Sequence, residues 1–382
     1  MAANENPRLP LDGVRVLDLT GTMSGPYCTM LLAQLGAVVD KIEPPTGDIT
    51  RSLMSGRHDG MTPIFLGLNV GKRSAVLDLK LDEDRRRLNA LLPGYDAVVH
   101  NMRPAAAARL GLTEDGLADA GSEALLCEIV GFGPGPYESR PAYDDTTQSL
   151  SGMAWVQGRG EVPEYVRAAV ADKTAGLYAA LGVCAALLGR ARGNLTRSVR
   201  IPMFETMVAY TMVEQLGGLT FEPAEGPPLY PRTMSPSRRP FRTADGYVGV
   251  MLYTDRHWRS FLSWLGRDDL VSDPKYATIS GRSVHIDEVY GFLAGVLEGG
   301  GTDEWLDVFE KLDVPAGRVQ TFDDLIADPH LAATGALPVE DHPTEGAVRR
   351  VRSPYLFDGR PAGPLRPAPN LGEHSSDILG TG

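Results

Sequence analysis

Cysteine is scarce in this chain: Cys28, Cys127 and Cys184 are the only three in 382 residues, odd in number and far apart. That argues against a disulfide framework or a CxxC metal or redox site, and it suits a reducing compartment. No HExxH occurs and the seven histidines are scattered, so no metal is assigned, and His285 with Glu288 reads as a solvated pair. The start, MAANENPRLPLDG, lacks the basic and apolar pattern of a signal peptide, and no later run has the uninterrupted apolar length of a membrane span. A cytoplasmic location without a membrane partner is expected. Positive charge is also short. Against 49 Asp and Glu stand 37 Lys and Arg, a net charge of −12 that opposes nonspecific attraction to nucleic acid while leaving room for a local basic pocket.

Hydrophobic residues at 43% and charged residues at 23% are the proportions of a globular protein, and the length exceeds what one core usually serves, so two structural units are expected. Residues 14–19 read as a buried strand, 26–35 as an apolar helix and 38–42 as the next strand, a βαβ unit. Further strands at 74–79, 97–101 and 125–130, with a helix at 82–92, extend this to an α/β sheet of mostly parallel strands. A long buried helix over 177–188 starts near Asp172, and another runs over 204–216. Residues 221–240 concentrate Pro, Gly, Ser and Arg and mark a linker. Beyond it a strand at 246–251 and amphipathic helices at 256–265, 283–297 and 303–312 form a smaller α+β unit. The tail after Leu331 is rich in Pro and Gly and is expected to lie across another surface. The expected division is a large domain over 1–220, a linker over 221–240, a small domain over 241–325 and a return segment over 326–382 that completes the large domain.

The turn from Gly21 through Thr22, Met23 and Ser24 to Pro26 joins a strand to a helix, an arrangement that can aim backbone N–H groups at a phosphate. It is not GxGxxG, so Glu43 at the end of the next strand does not establish a dinucleotide site, and a plain structural turn accounts for it equally well. Ser24 lacks the GxSxG spacing of a hydrolase nucleophile. Asp172 is approached through Ala168, Ala169, Val170 and Ala171, and its ordinary role would be a helix N-cap. A carboxylate there is also a nucleophile that needs no deprotonating base against a thioester at neutral pH, and nearby N–H groups could stabilise the oxyanion that forms. Lys72, Arg73, Arg103 and Arg109 follow expected strands and are either solvated charges or contacts for phosphate, with Asn101 as a polar neighbour.

In their order along the chain, LDGVRVLDLTGTMSGPYCTMLLAQLGAVVDKIEPPTGDITR, GKRSAVLDLK, VVHNMRPAAAARLGL, GFGPGPY, YDDTTQSLSGM, ADKTAG and VPAGRVQTFDDLIADPHLAATG resemble the family III CoA-transferases, with the related 2-methylacyl-CoA racemases, from about Leu11 to Gly335. The resemblance implies a Rossmann-like large domain with an inserted smaller α+β domain, in an interlocked, obligate homodimer. It implies that Asp172 is the catalytic carboxylate and that coenzyme A is met near Thr22, Met23, Ser24, Lys72, Asn101, Arg109 and Tyr143. Coenzyme A is then substrate and product, no cofactor is tightly bound, and the partners are acyl-CoA and small carboxylic acids. Where the formyl-CoA transferase pattern has Gln this chain has Met23, its basic residue near Pro44 is missing, and no glycine-rich loop follows Phe241, which sets formyl-CoA and oxalate aside as substrates. The racemase pattern places a histidine where this chain has Tyr143, whose ordinary pKa is far from neutral, so transfer is favoured over the racemase alternative. A noncatalytic CoA-binding protein is a third reading, and the presence of Asp172 weighs against it.

Overall fold

Runs rich in branched apolar residues, several of them carrying a charge, become the strands of one sheet, because both of its faces are covered and no solvent side calls for alternation. The computed structural model describes residues 8–362 and 365–380. Strands β1 (Arg15–Leu19), β2 (Val38–Glu43), β3 (Lys72–Val76), β4 (Ala97–His100), β5 (Leu125–Val130) and β6 (Ser198–Pro202) lie in the order β3-β2-β1-β4-β5-β6. Every neighbouring pair is parallel. One face carries Val16, Val39, Val99 and Ile129 against helix α1 (Ser24–Gln34) and the helix Val170–Ala191. The other carries Leu17, Ile42, Val98 and Leu126 against Leu88 of the helix Asp82–Leu91. This is a Rossmann-like sheet, and its winding reverses between β1 and β4, where ligands characteristically bind beyond the strand ends.

The chain divides into two units. One comprises the described residues up to Ala154, Tyr165–Thr211 and those from His330 onward; the other comprises Trp155–Glu164 and Met212–Pro329. In the first, the C-terminal segment closes the β3 edge, with Gly71 N–H donating to the Arg366 carbonyl (2.9 Å) and His374 N–H to that of Ser74 (2.8 Å). The second has its own core of Phe241, Trp258, Phe261, Leu293 and Phe309. Its antiparallel sheet is β7 (Phe241–Arg242), β8 (Tyr247–Val250) and β9 (Ala316–Arg318). Residues 221–240, expected as a linker, lie in this second unit and are not a bare tether. Leu229 and Tyr230 donate backbone N–H bonds to the carbonyl (2.7 Å) and Oε1 (2.9 Å) of Gln215, so main-chain groups a free linker would leave to water are satisfied locally.

Two details around Asp172 depart from expectation. The helix Val170–Ala191 starts before the aspartate, with Ala169 at its N-cap, so Asp172 stands in the first turn and does not cap it. This helix is also long and apolar enough, by length and composition, to cross a membrane, contrary to the expectation that no such run exists. Its Ala171, Ala175, Ala179 and Val183 are nevertheless buried in the core beside the sheet. Gly176 sets the approach. A Cβ there would sit 2.6 Å from the Ser24 carbonyl oxygen, so this helix and α1 meet backbone to backbone one turn from Asp172.

Beneath the strand ends lies a buried ionic cluster. The ammonium of Lys72 donates to Asp18 Oδ2 (3.0 Å), Asn69 Oδ1 (2.9 Å) and the Pro26 carbonyl (3.0 Å), which uses all three of its hydrogens. Lys41 donates to the Thr20 carbonyl (2.7 Å) and pairs with Asp48 (2.9 Å). Burial alone would raise the Asp18 pKa, but Lys41 and Lys72 outweigh it and hold it at about 2. Burial drives the Lys72 ammonium down to about 8 against the pull of Asp18. Replacing Lys72 by Met should leave Asp18 buried without its partner at a cost of about 3–5 kcal/mol. A clearly lower urea midpoint for Lys72→Met is the expected result, and an unchanged midpoint would mean that this ammonium is not what holds the strand ends.

Candidate active site

At the winding reversal the chain leaves β1 through Thr20 and Gly21 and enters α1 at Ser24. Thr22 takes a positive φ of 68°, a conformation that costs a branched residue energy and has to be held by its surroundings. Asp48 supplies the hold, since its Oδ1 accepts from Thr22 N–H (3.2 Å) as well as Thr50 N–H (2.9 Å). Asn101, the first residue after β4, clamps the same turn: its Nδ2 donates to the Gly21 carbonyl (2.7 Å) and its Oδ1 accepts from Gly21 N–H (3.0 Å).

Two clefts open from this clamped turn. The larger, about 910 Å³, runs over the ends of β1 to β4 and carries Lys80, Arg85 and Arg109. The smaller, about 200 Å³, contains Ser24, Arg103, Arg140, Tyr143 and Asp172. Gly21, Thr22, Asn101 and Met102 line both, so the two clefts meet at this turn as a shared wall.

Burial, and then the charge of Asp144, raise the Asp172 pKa to about 7, while a hydrogen bond from the Ser24 side chain pulls it down. Asp144 is tied to the same helix start. Its Oδ1 accepts from Asp172 N–H (3.0 Å) and its Oδ2 from Gln148 Nε2 (2.6 Å), which fixes one carboxylate beside the other. A carboxyl group that titrates near neutrality, reachable from a cleft, can act as nucleophile or as proton acceptor. The N–H expected to assist an oxyanion is, for Asp172 itself, already committed to Asp144.

Of the residues singled out in the sequence, Thr22, Ser24, Asn101, Tyr143 and Asp172 line the small cleft, and Arg109 joins Thr22 and Asn101 in the large one. Tyr143 is 69% exposed. Met23 lines neither cleft and occupies the N-cap of α1 without a side-chain bond. Lys72 must be moved out of the contact set: it has no exposed surface and its three donors are spent inside the fold, so a phosphate would have to dismantle the ionic cluster to reach it. Sequence reasoning passed over Asp144, next to Tyr143, and Arg140, whose guanidinium lies 3.8 Å from the centre of the Tyr137 ring. It also passed over Lys41 and Asp18, although a charge inside an apolar parallel strand signals a buried partner.

Residues 11–375 match the profile of CoA-transferase family III. The chain is 31% identical over 396 residues to the formyl-CoA:oxalate CoA-transferase of Afipia carboxidovorans, covering 97% of this chain and 92% of that protein. It is 30% identical to the succinate–glutarate CoA-transferase of Agrobacterium fabrum, covering 98% and 96%. Among solved structures, an aspartate-to-alanine mutant of Rv3272 from Mycobacterium tuberculosis superposes with a TM-score of 0.85 at 28% identity, covering 99% of this chain and all of that one. With the profile matched across both units and the parallel sheet shared with that structure, the chain belongs to CoA-transferase family III and is an enzyme of that class.

Proposed function

We propose that the protein moves CoA from an acyl-CoA donor to a carboxylic acid through a covalent aspartyl-CoA thioester on Asp172. The observation that carries this reading is that two clefts share one turn as a wall, with basic side chains in the large one and a first-turn carboxylate in the small one. The phosphate-bearing part of CoA suits Lys80, Arg85 and Arg109, the turn at Thr22 and Asn101 offers polar contacts along the way, and the thioester reaches Asp172 beside Ser24. Met23 contributes main chain only.

The ionised carboxylate of Asp172 attacks the donor thioester carbonyl, the C–S bond breaks, and an acyl-aspartyl anhydride forms with release of CoA thiolate. The thiolate attacks the aspartyl carbonyl, the donor acid leaves, and the enzyme holds CoA as a thioester. The acceptor carboxylate then attacks that thioester, and the released thiolate attacks the acceptor's acyl carbon to give the new acyl-CoA and free Asp172. The relatives named above act on different acids, so the likeness supports the transfer and leaves the acid open.

Binding and chemistry separate by substitution. Arg109→Gln should weaken CoA binding by roughly 1.5–3 kcal/mol in calorimetry, the loss of a charged hydrogen bond. Asp172→Asn should keep CoA affinity yet lose transfer by on the order of 1,000-fold or more, since it lacks the nucleophile. In the wild type, hydroxylamine added during turnover should mark the peptide containing Asp172. Turnover without that mark, accompanied by exchange of the substrate's 2-proton for deuterium, would replace transfer by racemisation.

The raised pKa fixes two signs. Between the unfolded value near 4 and about 7 the folded chain holds a proton the unfolded chain lacks, so Asp172 lowers stability as pH rises through that window, and the full cost stands above it. Transfer, in contrast, needs the ionised form and should rise through an acid limb near pH 7. Asp144→Asn removes the neighbouring negative charge, so the limb should move to lower pH in a kcat profile. A limb that stays in place would sever Asp144 from the nucleophile.

The same reading makes the active form a homodimer, supported by Leu177, Leu181 and Leu188, which stand exposed on the helix that carries Asp172. Sedimentation should find a dimer at the lowest working concentration, and an active, folded monomer would remove it.

A further inference from the structure

The second unit contains a cavity that the transfer reading does not use. It measures about 570 Å³, within the range of small-molecule sites. Its wall is apolar where Phe241, Val250, Leu252 and Leu293 face it, and no Asp or Glu lines it. Three arginines, Arg232, Arg238 and Arg239, also line it.

Exposed arginines are ordinarily solvated charges, and what distinguishes this group is how it is held. Arg232 Nε donates to the Tyr290 hydroxyl (2.8 Å), and its guanidinium lies 4.9 Å from the centre of the Tyr253 ring, so its plane is oriented by neutral partners that leave the charge uncompensated. Arg238 and Arg239 follow a turn in which Arg238 N–H donates to the Ser235 carbonyl (3.0 Å), and Ser235 is anchored through its hydroxyl to Asp287. The anchoring fixes the loop that carries two of the charges, and the nearby carboxylate is engaged by that hydroxyl.

We propose that this cavity is a binding site for an organic anion with an apolar body, a carboxylate carrying an aliphatic chain or a ring. The anionic head meets the arginine cluster, and the body lies on Phe241, Val250 and Leu293. The site is independent of the covalent chemistry at Asp172, and none of its lining residues belongs to the two clefts around that aspartate.

Octanoate serves as the probe on the full chain, with octylamine as the cation of equal apolar length. Calorimetry should detect octanoate binding and no octylamine binding. The double variant Arg238→Gln with Arg239→Gln, whose side chains are exposed, should weaken octanoate about tenfold or more, the effect of lost charge-assisted bonds, while leaving CoA affinity and the melting temperature unchanged. A diazirine analogue of octanoate should label residues 232–252 in the wild type. Equal affinity for octanoate and octylamine, an unchanged affinity in the double variant, or labelling confined to peptides of the Asp172 cleft would each overturn the proposal. CoA transfer, measured separately, stands or falls without it.

Discussion

Two lysines with no exposed surface, Lys41 and Lys72, stand beneath the strand ends at which both clefts open. Buried ammonium groups are costly unless every hydrogen finds an acceptor, and here the acceptors come from separate segments: Asp18 of β1, Thr20 and Pro26 of the following turn and helix, Asp48 of the loop after β2, and Asn69 before β3. Satisfying the charges therefore means bringing those segments together. Glu43 extends the cluster by taking Arg51 through two bonds of 2.8 Å and the Ser74 hydroxyl at 2.6 Å. An apolar filling could have been as stable, but it would not have fixed the carbonyl of Thr20 or the N–H of Thr22 in direction. The left-handed Thr22 persists because Asp48, itself paired with Lys41, is aimed at its N–H.

The same economy does not extend to Asp172, where the surroundings work against the charge. Burial and the Asp144 carboxylate both disfavour ionisation, and only Ser24 among the named neighbours favours it. A group tuned for stability would be paired with a cation, as Asp18 is. On the proposed transfer, leaving Asp172 under-compensated would keep it reactive, because an acyl group added to it would remove a charge that the cleft tolerates poorly. The helix start supplies the geometry for this, since Asp144 anchors Asp172 by its backbone N–H while leaving the side chain to the cleft.

Much of the fold was legible in the sequence. Mostly apolar runs located β1, β2, β4 and β5 within a residue or two, since strands buried on both faces keep a strong local signature even where Asp18 or Lys41 interrupts it. Strand β6 went unplaced because Ser198, Arg200 and Pro202 break its apolar run, and its identity depends on pairing with β5 across a long separation. The Pro- and Gly-rich stretch after Phe221 looked like a tether because composition does not reveal that Gln215 would satisfy its backbone. The site divided likewise. Asp172 stood out through its small neighbours and the motif order, whereas Lys72, read as a solvated charge or a phosphate contact, is fully buried, which a lysine in sequence does not announce. Asp144 gave no signal of its own; its part follows from a contact 28 positions away.

The electrostatics of the small cleft also bear on how an acid can enter it. Under the proposed transfer an acceptor, an anion at neutral pH, approaches a cleft lined by Asp172 and Glu138, with Asp144 bonded to the Asp172 N–H. Glu138 is drawn aside by Arg200 at 3.6 Å, and Arg103 and Arg140 line the same cleft as Asp172. Arg140 is stacked over Tyr137 and spends no donor there, so its fork stays available in a fixed orientation. On the proposed transfer, conversion of Asp172 to a thioester would remove its charge and shift the balance in the cleft toward the arginines at the stage when the second acid must bind. Under that proposal the covalent intermediate would make the cleft more attractive to the acceptor. Before acylation, the same acid meets an additional negative charge whenever Asp172 is ionised.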